Sequence, residues 1–153
     1  MPTSAPDPRR AALTSALLPL LRASCPSDAG GYGGSVEVRL PDTEVQELGG
    51  TDLLRASLRA AARQLGWKIE TYAMTGTQHG TMLGVSDRRP VPEPFTAVVA
   101  ADMARRTRAA VDRVGRPGSP VPQPSPVCDP HLPTAEFRAA CAAADLRTHD
   151  PAL

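Results

Sequence analysis

Residues 51–75 read TDLLRASLRAAARQLGWKIETYAMT, and the fold turns on how this stretch is divided. Leu54, Leu58, Ala61 and Leu65 stand at i, i+4, i+7 and i+11, which lines one face of an α-helix with apolar side chains. Thr51 is placed to cap the start of that helix, and Gly66 to end it. Trp67 to Thr75 then reads as a strand. Thr81 to Ser86 reads as a second one, joined to the first through Gly76-Thr77-Gln78-His79-Gly80, a glycine-bounded connection suited to a β-hairpin.

Upstream, Val36, Val38 and Leu40 alternate with Glu37 and Arg39, the pattern of a half-buried strand that Pro41-Asp42 stops. An acidic loop bearing Asp42, Glu44 and Glu47 links it to the helix. Downstream, Asp87–Pro90 is a turn and Pro90–Pro94 is extended. A second long helix is predicted from about Phe95 to Val114, with Phe95, Val99, Met103, Ala110 and Val114 as its apolar stripe. The expected fold is α+β: a small three-stranded, mainly antiparallel sheet in β-α-β-β-α order, with helices packed on one face and a Pro-rich C-terminal extension.

The flanks divide the chain further. Residues 1–34 read as a leader with a short helix over 9–23 and a Gly-rich loop; residues 35–115 are the core domain. Residues 116–133 hold seven prolines and read as an extended linker, and 134–153 as a short helix opened near Thr134 and a tail. Pro19 is expected to kink or shorten the N-terminal helix. Arg9-Arg10 before the run Ala11–Leu21, with Cys25 beyond, resembles a short export signal. Asp7, three early prolines, Pro19 and Arg22 argue against that reading. No apolar run approaches the roughly 18 residues that a membrane span needs, so no membrane partner is expected.

Composition narrows function only a little. The net charge is +1, and just five residues are aromatic, so the core must be built from Leu, Val and Ala; homodimerisation would enlarge it. Sixteen of the seventeen basic residues are arginine, which with the Ala, Pro and Gly bias resembles the coding of GC-rich bacterial genomes. Three widely spaced cysteines, Cys25, Cys128 and Cys141, define no disulfide framework and suit free thiols in the cytoplasm.

The basic residues concentrate in the middle: residues 51–116 carry eleven against six acidic ones. Arg55, Arg59 and Arg63 recur every fourth residue and must form a stripe on one helix face. Lys68, Arg88, Arg89, Arg105, Arg106 and Arg108 complete a candidate surface for DNA or RNA backbone, whose phosphates guanidinium forks fit well. Asp102–Arg106 and Arg108–Asp112 are helix-spaced ion pairs that would neutralise part of it.

Other groupings point elsewhere. A helix ending in Gly66-Trp67, then a strand, then a Gly-Thr turn bearing His79 resembles the HicA family of small RNA-cleaving toxins, from Leu53 to Arg88. That resemblance implies a catalytic His79 and a fold similar to a double-stranded-RNA-binding domain. Two features depart from the pattern: Gln78 separates the turn from His79, and a strand precedes the first helix.

Cys128, His131, Cys141 and His149 are zinc-ligand types, but their C-x2-H-x9-C-x7-H spacing matches no standard finger. Cys141, within an alanine run, reads as a packing residue, so no metal or cofactor is expected. Gly30, Gly31, Gly33 and Gly34 precede a strand rather than open a helix, which is the wrong order for a phosphate cradle. The leading expectation is therefore a small non-enzymatic accessory or regulatory protein that meets nucleic-acid backbone through arginine-rich helices. The alternative is a protein–protein interaction module using the Pro-rich tail, and a lesser one is a HicA-like ribonuclease using His79.

Overall fold

A computed structural model describes residues 7–78, 80–114 and 131–145. The elements in chain order are α1 (Pro8–Ser24), β1 (Ser35–Leu40), α2 (Asp42–Glu47), α3 (Thr51–Gln64), β2 (Ile69–Thr77), β3 (Gly80–Asp87), α4 (Glu93–Val114) and α5 (His131–Ala143). The three strands form an antiparallel sheet in the order β1-β3-β2, as the α+β reading requires.

Alternation along the strands sorts the side chains. Val36, Val38 and Leu40 of β1 and Leu83 and Val85 of β3 are buried on one face. Onto that face α3 lays Leu54, Leu58, Ala61 and Ala62, α1 lays Leu13, Leu17, Leu20 and Leu21, and α5 lays Phe137, Ala140 and Cys141. All belong to a single apolar cluster, so the helices flanking residues 35–115 supply part of the same core. The opposite face is more open, with Tyr72 and Met74 exposed on it. There the Tyr72 ring lies over Gly84, where a Cβ would collide with it, and the phenol donates to the Glu37 carboxylate.

Several local expectations need adjustment. Pro19 does not shorten α1, which runs to Ser24. Its buried leucines lie on both sides of the proline, and α1 packs against α3 and α5. The N-terminus of α1 is capped by Asp7, whose carboxylate accepts the Arg9 N–H at 2.9 Å. The acidic stretch after β1 is a short helix, α2, with Asp42 and Glu44 in its first turn, where the helix dipole favours them. The N-cap of α3 is Gly50, and Thr51 is already helical. Gly66 does end α3, at φ +77°.

The hairpin is tighter than a five-residue loop. Pairing reaches Thr77 and Gly80, and a register shift between Met74 and Thr77 absorbs the extra residue as an irregularity in β2. The helix after the Pro-rich stretch starts at His131, upstream of Thr134, because Pro133 is tolerated in a first turn, where no intrahelical N–H is needed. The Thr134 hydroxyl is spent elsewhere, accepting the Arg39 N–H at 3.2 Å. The Pro-rich extension itself, residues 116–130, lies outside the described residues.

The expected apolar stripe of α4 is only partly used. Phe95 stacks on Tyr32 with ring centroids 6.1 Å apart, and Val99 lies against Gly33. Met103, however, is 63% exposed, and the side chains of Ala110 and Val114 lie outside the described residues. This helix therefore rests on the Gly-rich loop rather than on the sheet.

Candidate interaction surface

The two outer edges of the sheet are treated differently. In an antiparallel ladder, alternate residues direct both backbone groups to the same neighbour. Asp87 donates to the Gly34 carbonyl at 3.0 Å, which turns Val36, Val38 and Leu40 toward β3 and leaves Ser35, Glu37 and Arg39 facing outward. That outer edge is partly occupied. Thr134 of α5 takes the Arg39 N–H, and the Arg106 guanidinium of α4 reaches the Ser35 carbonyl at 3.4 Å.

At the other edge, Arg88 donates to the Lys68 carbonyl at 2.8 Å, so Glu70, Tyr72 and Met74 face β3 and Ile69, Thr71 and Ala73 face outward. Of those outward groups, the Thr71 carbonyl accepts from Arg55 Nη2 at 3.3 Å. The N–H and C=O of Ile69 and Ala73 and the N–H of Thr71 have no hydrogen bond among the described residues. Among the described residues, the outer edge of β2 is thus the open side of the sheet. Tyr72 and Met74 are exposed on the face turned away from α3.

The expected cationic residues differ in what they pair with. Arg88 pairs with Glu70. Arg89 forks onto Asp87 at 2.8 Å, donates to the Gly31 carbonyl at 3.0 Å, and lies 4.3 Å from the centre of the Tyr32 ring. The hydrogen bond from Arg89 to Asp87, with the carboxylate's charge, raises the guanidinium further above its usual range, so this cation is committed to internal structure.

On α4, Asp102 takes both Arg105, at 3.3 Å, and Arg106, at 2.8 Å; the latter is the helix-spaced pair expected from the sequence. Arg106 also donates to the Ser24 carbonyl at 2.7 Å. Arg106 therefore stands at the β1 edge and Arg55 at the β2 edge, with the sheet about 10 Å wide between those outer strands.

Arg59, Arg63, Lys68 and Arg108 form no ion pair among the described residues. Arg55, Arg59 and Arg63 share one face of α3, and Arg55 fixes that face beside the β2 edge. Lys68, exposed, immediately precedes β2. Arg55 Nε is buried without a hydrogen-bond partner among the described residues. Among the described residues, three features thus coincide along the α3–β2 side: backbone groups without hydrogen bonds, a cationic row, and a guanidinium N–H without an acceptor. Sequence reasoning found the row but missed the edge, because strand order within a sheet is set by long-range pairing.

Other candidates are placed as follows. An open cleft of about 460 Å³ lies between the Gly-rich loop and the turn into β2, lined by Trp67, Leu65, Cys25, Arg22 and Asp28 among others. Burial, and then the nearby Asp87 charge, push the Cys25 thiol up, against a smaller opposing pull from Arg89 and Arg106; Cys25 is held as a neutral thiol. His79, Cys128 and His149, and the His131 side chain, lie outside the described residues, while Cys141 is buried in the core. Among the described residues, no three His, Cys, Asp or Glu side chains group as metal ligands would. No helix among them is long and apolar enough to cross a membrane. Comparison with protein-family models, with curated proteins and with solved structures finds no match.

Proposed function

We propose that this chain is a small accessory or regulatory protein of the bacterial cytoplasm, working by binding rather than by catalysis, and that it holds a protein partner along its α3–β2 side. The observation that carries this reading is the open outer edge of β2 with the α3 arginine row beside it. Strand edges with free N–H and C=O groups are natural docking sites for polypeptide, and most proteins cover or blunt them. The segment Ile69–Thr77 contains no proline and only one charge, Glu70, so it is not blunted by composition. This reading places the partner contact on the folded domain, whereas the sequence alone suggested the Pro-rich tail.

A nucleic-acid backbone is the second reading. What favours it is that Arg59, Arg63 and Lys68 form no ion pair among the described residues. It is weakened by the commitment of Arg88, Arg89, Arg105 and Arg106 to carboxylates.

One comparison separates the two. Fluorescence anisotropy is measured with labelled polyglutamate and with a labelled single-stranded oligonucleotide, for the native chain and for Arg59→Glu with Arg63→Glu. A protein partner predicts tighter binding of the polypeptide, reduced about tenfold or more by the double substitution. Preference for the oligonucleotide, with affinity falling steeply as salt rises, would transfer the assignment to nucleic acid. Indifference of both ligands to the double substitution would remove the α3–β2 side from consideration.

A further inference from the structure

We propose that the outer edge of β2 accepts an acidic, extended polypeptide segment as a fourth, antiparallel strand, with acidic residues at alternate positions facing α3. The inference rests on the interaction reading above and specifies what that side of the molecule recognises.

The backbone supplies the first half of the argument. Ile69, Thr71 and Ala73 direct their N–H and C=O groups outward, offering a ladder in which donors and acceptors alternate. A phosphodiester can accept hydrogen bonds from such an edge, but it has no N–H to give to the outward carbonyls of Ile69 and Ala73. A polypeptide strand supplies both. Antiparallel addition continues the sheet as it stands and gives the slightly stronger pairing.

The side chains supply the second half. In a hydrogen-bonded antiparallel pair, facing residues project to the same face of the sheet. Residues opposite Ile69, Thr71 and Ala73 would therefore project to the helix side, where Arg55, Arg59 and Arg63 run along α3. Arg55, whose Nη2 already reaches the Thr71 carbonyl at this edge, brings the near end of that cationic row to where an incoming carboxylate would lie. The intervening residues would project to the open face beside Tyr72 and Met74, both exposed, and so favour apolar side chains. The segment recognised is thus amphipathic with a period of two, acidic on one side and apolar on the other. A second copy of this chain is a poor occupant: its own edge brings a matching arginine row, and two such rows would repel.

The test uses the full chain and a labelled peptide of about ten residues, Val and Glu in strict alternation, long enough to span β2. Two further peptides carry N-methyl groups, one on every Glu and one on every Val. In the proposed orientation the Glu N–H groups face β2 and the Val N–H groups face solvent. Methylating Glu is expected to weaken binding about tenfold or more, and methylating Val to leave it unchanged. Arg59→Glu with Arg63→Glu is expected to weaken the parent peptide comparably, and replacing Glu by Lys in the peptide to abolish binding.

Equal binding of the two methylated peptides would overturn strand addition while leaving an acid-selective cationic face in place. Absence of parent-peptide binding at low salt, with the protein folded by circular dichroism, would overturn both this proposal and the reading beneath it. A dimer that dissociates on adding peptide, seen by sedimentation, would identify a second copy as the occupant instead.

Discussion

At the scale of single residues, the fate of each guanidinium is decided by what stands within a hydrogen bond of it. Asp87 has a side chain only 1% exposed, and it accepts the Arg89 fork as well as the N–H groups of Arg89, at 3.0 Å, and Lys68, at 3.2 Å. Removing the cation would leave a buried carboxylate with backbone partners alone. Arg89→Ala is therefore expected to cost about 2–3 kcal/mol in urea unfolding, and Arg89→Lys to recover only part of it because an ammonium cannot fork. A loss under about 0.5 kcal/mol would mean the clamp is solvated in practice.

Tyr72 gives a pH signature. Burial first, then its hydrogen bond to the Glu37 carboxylate, push the phenol well above its ordinary value of about 10, so the folded state prefers the neutral form. The resulting stabilisation is complete below the unfolded-state value and is lost as pH rises from there toward the folded-state value. Urea midpoints should fall from about pH 10 upward, and fall less steeply in Tyr72→Phe. Parallel slopes for the two proteins would refute the linkage. The Asp102–Arg106 pair was legible in sequence because helical spacing imposes it. The Arg88–Glu70 pair was not, because it depends on which strands meet.

At the scale of elements, α4 is the least supported. Its anchors are the half-buried Phe95 and Val99 near one end and the Asp102–Arg106 pair near the middle, with Arg106 reaching the Ser24 and Ser35 carbonyls. Arg106→Ala is expected to lower hydrogen-exchange protection across α4 while leaving α3 and β3 unchanged, because those elements lie in the central cluster. A uniform drop throughout the chain would show instead that α4 unfolds only with everything else.

The elements with strong periodicity were readable: β1 alternates over its full length, and α3 carries an unbroken apolar stripe. The short helix α2 was not, since Val45 is its sole buried residue and one apolar position has no period. The hairpin was read with too long a loop because Gly76 and Gly80, which look like loop boundaries, lie inside the paired strands at positive φ, +66° and +85°. The open β2 edge had only a negative signal, the lack of proline and of alternating charge, and nothing local could say that β2 rather than β3 would be outermost.

At the scale of the whole molecule, the point of physical interest is how few large side chains close the core. Phe137 is the one aromatic ring fully buried among the described residues, and it sits on α5, beyond the Pro-rich stretch. Arg138 on the same helix forks onto Glu44 of α2 at 2.8 and 2.9 Å, and Thr134 holds the β1 edge, so α5 is fastened at three points. A helix that merely trailed from a linker would bury nothing, and its truncation would not affect stability. A helix that fills the core must be missed. Phe137→Ala is accordingly expected to cost about 3–5 kcal/mol, because the loss of transferred area adds to the cavity left among α1, β1 and α5. Against a domain stability of roughly 5–15 kcal/mol, that is enough to lower the thermal midpoint by well over ten degrees or to unfold the chain outright. Phe137→Leu, which retains most of the volume, should cost less than half as much. If both variants melt with the native protein, α5 is not part of the cooperative unit, and the core closes without it.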